Sequence, residues 1–142
     1  MADPDALRYL RIAQADLEEA QRMLALSGFR DSSIGFRLQQ ACEKALKSWI
    51  HAKGGQAPFT HDLAALMDWL EESGSNMSAF EAIADLSCFA VQPRYACSVA
   101  IRRQIGISQQ GPASGCRPAL ASSALLSCFT AWIPSWIPAG VN

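Results

Sequence analysis

The chain has 142 residues, 50% of them apolar and 18% charged, with a formal net charge of −1 at neutrality. That length suits one domain, and the composition excludes a fully disordered chain, a collagen-like repeat and a strongly basic nucleic-acid arm. The average hides an asymmetry: all 13 acids lie between Asp3 and Asp85, where 8 Lys and Arg leave a net −5, while residues 86–142 hold Arg94, Arg102, Arg103 and Arg117 and no acid.

Helical spacing recurs four times in the first ninety residues and strand alternation is nearly absent. Asp3 suits the cap of a first helix with Pro4 at its opening position, where a missing N–H costs nothing. Its apolar face is Leu7, Leu10, Ala13, Leu17, Ala20 and Leu24, and Gly28 suits its end. A second helix is expected from about Asp31 to Lys53, with Ile34, Leu38, Ala41, Cys42, Ala45 and Trp49 buried and Gly54-Gly55 as the stop. Thr60 is the expected cap of a third helix, with His61 and Asp62 in its first turn and Leu63, Leu66, Met67 and Leu70 facing inward. Ser78-Ala79-Phe80-Glu81 reads as a capping box. It opens a fourth helix over 79–90, with Phe80, Ile83, Leu86 and Phe89 inward and Pro93 as the stop. Short connections between amphipathic helices predict an all-α, antiparallel up-and-down bundle of four to five helices with an irregular C-terminal tail. The division is a bundle over 1–95 and a tail over 96–142.

The five cysteines, Cys42, Cys88, Cys97, Cys116 and Cys128, are odd in number and hold no C-x-x-C pair. They read as buried small hydrophobes with free thiols in a reducing compartment. Met1–Asp5 is acidic and lacks the apolar core of a secretory signal, so the expected location is cytoplasmic.

After Tyr95 the character changes: Ser, Gly and Pro cluster and acids vanish. Ser98–Ile107 has the spacing for one further helix, weakened by Gly106 and the Gln-Gln-Gly-Pro that follows. The apolar run Ala119–Ile133 is shorter than the roughly 20 residues a spanning helix needs. Ser122, Ser123, Ser127 and Thr130 dilute it and Pro134 and Pro138 follow, so no membrane span is expected. Trp132 and Trp136 leave an interfacial or partner-binding segment as an alternative. A reading-frame shift near Tyr95 would also produce this change, and translating the encoding DNA in the other frames tests it.

Chemistry has few places to sit. Arg37, Gln40, Lys44, Lys47 and His51 step by three and four and form one polar stripe on the second helix. The plain reading is a solvated face, and Glu43 and Lys47 form an i,i+4 pair. The sharper reading is an anion-binding ridge, with the lysines as point charges and Arg37 as a bidentate donor. His61, oriented by Asp62, is either a capping-region histidine or an acid–base group near neutrality. Arg94-Tyr95 offers a phosphate contact and a stacking platform, or an arginine on helix-end carbonyls. Two histidines in unrelated contexts do not predict a metal site, and no phosphate-binding glycine loop or nucleophile elbow is present. No cofactor is expected.

Several of these pieces occur together in one family. Ala15-Asp16-Leu17-Glu18-Glu19-Ala20 precedes a Gly28-Phe29-Arg30-Asp31 turn. Gln39-Gln40-Ala41-Cys42-Glu43-Lys44-Ala45-Leu46-Lys47 is close to a Gln-Gln-Ala-x-Glu-Lys-x-Leu-Lys signature. Thr60-His61-Asp62-Leu63 and Arg94-Tyr95 follow in order. In this the segment Ala13–Tyr95 resembles a HEPN domain (higher eukaryotes and prokaryotes nucleotide-binding). The resemblance implies a helical bundle that forms a homodimer and is often encoded with a minimal nucleotidyltransferase in a toxin–antitoxin type pair. It places Glu43, Lys44, Lys47, His61, Asp62, Arg94 and Tyr95 at a shared polar site for nucleotide or RNA. The Arg-x4-6-His motif of the family's ribonucleases is absent here. The reading is therefore a nucleotide-binding or partner-binding module rather than an enzyme. The alternatives are a ribonuclease toxin with a degenerate motif that uses His61, or a helical scaffold without ligand.

Overall fold

Helix α1 (Pro4–Ala25) begins where the capping chemistry places it. In the computed structural model, which describes residues 3–26 and 28–91, the Asp3 carboxylate accepts the backbone N–H groups of Asp5 and Ala6, and Pro4 opens the helix. Ala6, Leu10, Ala13, Leu17, Ala20 and Met23 are buried. Leu7 and Leu24, expected inward, are half-buried instead. Ala6 and Met23, which lie on the same three-and-four stripe through Leu10 and Ala20, are buried in their place.

Helix α2 (Asp31–Ala52) is the centre of the bundle, touched by α1, by α3 (Leu63–Glu72), by a 3₁₀ segment (Ser78–Ser87) and by the single turn α4 (Cys88–Val91). Contact on several sides means that it buries more than one face. Ala41, Cys42, Ala45, Leu46 and Ile50 are buried, and so are the polar Gln39, Glu43, Lys47 and Ser48. Ile34, Leu38 and Trp49 are only half-buried. The expected polar stripe is thus not one solvated ridge.

The ends of α2 and α3 share one device. Gly55 N–H bonds to Ile50 C=O and Gly54 N–H to His51 C=O, while Ser75 and Gly74 repeat the pattern on Leu70 and Glu71. Gly54 (φ +78°) and Gly74 (φ +85°) supply the left-handed residue this requires.

Helices α1 and α2 are antiparallel: Ser48 Oγ donates to Ala6 C=O at 2.6 Å, and Arg37 reaches Asp16 at 3.0 Å. The 3₁₀ segment with α4 is also antiparallel to α2, since Trp49 meets Phe80 edge-on and Gly35 packs on Phe89. Helix α3 runs alongside α2 in the same sense, which corrects the expected up-and-down order at this one connection. His61, just before it, touches Gln39 and Glu43, while Gly55 packs on Trp69 near its end. The loop over 53–62 therefore crosses back along the bundle, and this return path carries His61 to the middle of α2.

Two expected helix starts are corrected. The α3 cap is Asp62, whose carboxylate accepts Ala64 N–H at 3.0 Å. Thr60 instead accepts Asp62 N–H through its hydroxyl at 3.1 Å, so Thr60 and His61 precede the helix. Ser78 and Glu81 form no capping box: the Ser78 N–H and hydroxyl both bond to Asn76 Oδ1, at 3.0 and 2.7 Å. The next ten residues are 3₁₀ rather than α. Their apolar positions explain it. Met77, Phe80, Ile83, Leu86 and Phe89 recur every third residue, which keeps them in line at three residues per turn and would spread them around an α-helix. All but the half-buried Phe80 are buried.

No helix among the described residues is long and apolar enough to cross a membrane. Cys42 is a free, buried thiol. Cys88 is disulfide-bonded, which corrects the expectation of free thiols throughout. Pro93, Arg94, Tyr95, the expected helix over 98–107 and the rest of the tail lie outside the described residues.

Candidate functional site

Glu43 organises the polar centre. Its side chain is fully buried, and both carboxylate oxygens are used. Oε1 accepts from Lys44 Nζ at 2.7 Å and Lys47 Nζ at 2.9 Å. Oε2 accepts from Gln39 Nε2 at 3.3 Å and lies 2.9 Å from His61 Nδ1. Gln39, Glu43 and Lys47 follow one another at i, i+4 and i+8, which is why one turn-spaced row of α2 can close around a single carboxylate.

Burial pushes the Glu43 carboxyl up. Hydrogen bonds from Lys44, Lys47 and His61, with the added charge of Lys44, outweigh it and hold the pKa at about 2. Glu43 is thus ionised at neutrality. An ionised carboxylate only accepts, so His61 Nδ1 carries the proton that faces it. In the neutral imidazole this leaves the Nε2 lone pair as the free one. The His61 ring is 63% exposed, so that nitrogen is open to solvent.

Gln39 is the second organiser, a role that its place on the polar side of α2 does not by itself announce. Its amide donates to Glu43 and to His61 C=O at 3.1 Å, tying the returning loop to α2. Gln40 donates to Gln39 Oε1 at 2.7 Å and so fixes the amide's orientation. The signal in the sequence was the i,i+4 spacing of Gln39 and Glu43 on a row that also carries Lys47.

Lys44, Lys47, Glu43 and His61 are therefore brought together. Two ammonium groups around one carboxylate leave an excess of positive charge at an edge where an imidazole meets solvent. The lysines differ in access: the Lys44 side chain is 18% exposed and that of Lys47 8%.

The other expected members of the ridge go elsewhere. Arg37 binds Asp16 at 3.0 Å and Glu19 at 3.2 Å on α1, so its guanidinium is neutralised between helices. His51 stacks on Tyr9, with ring centroids 5.4 Å apart. Asp62 does not orient His61. Its carboxylate caps α3 and accepts from the Ser87 hydroxyl at 3.3 Å, and Glu43 holds the imidazole instead. Arg94 and Tyr95 lie outside the described residues.

Asp3, Asp5 and His51 bring three potential ligand atoms within 4.8 Å of one another. Asp3 is already committed to capping α1, and the positive end of that helix's dipole opposes a cation there.

A family model described as HEPN domain matches residues 6–104, more than half of the chain. No curated protein and no solved structure matches it significantly.

Proposed function

The chain belongs to the HEPN domain family, and from that premise we propose that it is a phosphate-recognising module for a nucleotide or RNA, centred on Lys44, Lys47 and His61 around Glu43. The observation that carries this reading is the convergence of two lysine ammonium groups on one buried carboxylate, with the exposed His61 ring on its other oxygen. Glu43 neutralises one of the two charges and holds all three groups in place. The surplus charge at the solvent edge then favours an anion, and Lys44 and His61 are the members with exposure enough to meet it.

Calorimetric titration of the full chain with tripolyphosphate and with nucleoside triphosphates tests the reading. Lys44→Gln is expected to weaken binding at least about tenfold, the scale of one charge-assisted contact. Equal binding by the variant and the wild type removes the site. On this reading the module acts as a homodimer and with a nucleotidyltransferase in a toxin–antitoxin type pair. Sedimentation measures the first, and a nucleotidyltransferase gene beside the coding sequence supports the second.

One observation favours a second reading. A carboxylate that fixes the Nδ1–H tautomer of an exposed imidazole is the arrangement of a general acid–base. His61 would then take or give the proton in cleavage of an RNA phosphodiester, with Lys44 beside it offsetting the developing charge. RNA cleavage that His61→Ala abolishes is the outcome that selects this reading, and absence of cleavage by the wild type rejects it.

A further inference from the structure

Phe59 stands out among the apolar side chains. It is 104% exposed, while the other exposed large apolar residues among those described, Ile12, Leu26 and Phe29, are 38–58% exposed. Single exposed apolar side chains are ordinary on protein surfaces; Phe59 differs in being held wholly in water on a segment fixed beside the polar centre.

The backbone around it is pinned. Thr60 N–H donates to Pro58 C=O at 2.9 Å, a three-residue turn with Phe59 at its tip. Beyond it, Thr60 Oγ1 accepts Asp62 N–H, His61 C=O accepts from Gln39, and the His61 ring is held by Glu43. Phe59 thus projects from a segment that the polar centre itself anchors. It is two residues from His61, so at most about 7 Å of backbone separates them. That is comparable with the span from a base to its own 5′-phosphate.

We propose that Phe59 is the base-stacking platform of the site, so that the ligand is a nucleoside phosphate whose base lies on the Phe59 ring while its phosphate meets Lys44 and His61. This rests on the phosphate-binding reading above and specifies its ligand. A nucleobase needs one free π-face and little else. A protein partner needs a contiguous apolar patch, and the loop neighbours Ala57, Pro58 and Thr60 supply no second large side chain. A fully exposed aromatic on the segment that leads into His61 matches the first requirement. The same chemistry is presented by a free nucleotide and by one residue of a single-stranded RNA.

The test uses the full chain and three probes: tripolyphosphate, a nucleoside triphosphate and a short single-stranded RNA. Phe59→Ala is expected to weaken the base-bearing probes by roughly 5- to 150-fold, leave tripolyphosphate unchanged, and be rescued by Phe59→Trp. The probe that shows the loss, free nucleotide or RNA, identifies the source of the base. Phe59→Ala with wild-type affinity for both base-bearing probes overturns the platform, and if Lys44→Gln still weakens tripolyphosphate the phosphate reading stands without it. Failure of the wild type to bind any probe overturns both. A shift in oligomeric state of Phe59→Ala at unchanged nucleotide affinity makes the ring a contact between copies and also overturns the platform. Because Phe59 is fully exposed, its substitution spares the core.

Discussion

Glu43 and Lys47 stand one turn apart on α2, their carboxylate and ammonium groups 2.9 Å from each other and both out of solvent. A pair of this kind on a surface helix contributes little. Here the carboxylate also serves Lys44, Gln39 and His61, so removing it orphans several groups at once. Glu43→Ala is therefore expected to destabilise the bundle by about 3–5 kcal/mol, the cost of leaving a buried charge unpaired. Glu43→Gln, which keeps the volume and one acceptor, is expected to cost less. Urea melts of the two variants check the order, and equal losses would show that the charge both variants remove, rather than side-chain volume or the remaining acceptor, holds the site.

The same carboxylate sets an acid limit. Its pKa in the fold is about 2 against an ordinary 4.5. A depressed carboxyl contributes stability above the unfolded value and loses it as pH falls toward the folded value. The window is thus between about pH 4.5 and 2, where stability is expected to fall by on the order of 3 kcal/mol from this group. The difference in stability between wild type and Glu43→Gln should shrink across that window. A constant difference would show that Glu43 does not titrate with folding.

Gly35 is the point where α4 closes on α2. A Cβ there would lie 2.5 Å from the Phe89 ring, and Phe89 is 1% exposed and has no room to swing. Overpacking of this sort costs about 1–3 kcal/mol, partly offset by the roughly 1 kcal/mol that alanine gains over glycine within a helix. Gly35→Ala should lower the urea midpoint at unchanged slope, and Phe89→Leu in the same chain should recover part of the loss. A midpoint at or above wild type would show that the ring can move aside.

Much of the bundle was legible because its caps and stripes are local. Asp3, Pro4, Leu63, Leu66, Met67 and Leu70 do what their spacing requires. What was not legible depended on long-range contact. Glu43, Lys47 and Gln39 look like solvated positions until α3 and the returning loop cover them. Arg37 looks free until Asp16 and Glu19 on α1 take it. Two of the differences do have a local signature in the chain. The strict three-residue spacing from Met77 to Phe89 was present in the chain and favours 3₁₀ over α. Asn76, two residues before Ser78, is a competing acceptor that defeats the capping box.

Cys42 offers a probe of the core. It is free and buried, and burial pushes its thiol up to about 12. The thiolate is the reactive form, so alkylation of Cys42 in the native protein should be slower than in denaturant by orders of magnitude and should track unfolding. Peptide mapping after pulse labelling reads this residue separately from the other cysteines. Rapid native labelling of Cys42 would mean that α2 opens locally rather than with the whole bundle.

Lys44 and Lys47 share one oxygen of Glu43, yet their surroundings assign them different weights. Lys47, 8% exposed, is a structural counter-ion, while Lys44, 18% exposed, keeps donors nearer to solvent. Lys47→Gln should therefore lower stability more than Lys44→Gln, because it removes the more deeply buried of the two counter-ions on that oxygen. Lys44→Gln should weaken tripolyphosphate binding and reduce its dependence on salt, because a solvent-facing charge that meets the anion is screened by added ions. Urea midpoints and titrations at two salt concentrations on the same preparations separate the effects. If Lys47→Gln weakens binding more than Lys44→Gln at equal stability, the anion enters by the Lys47 side, and the solvent-edge geometry assigned to the site is wrong.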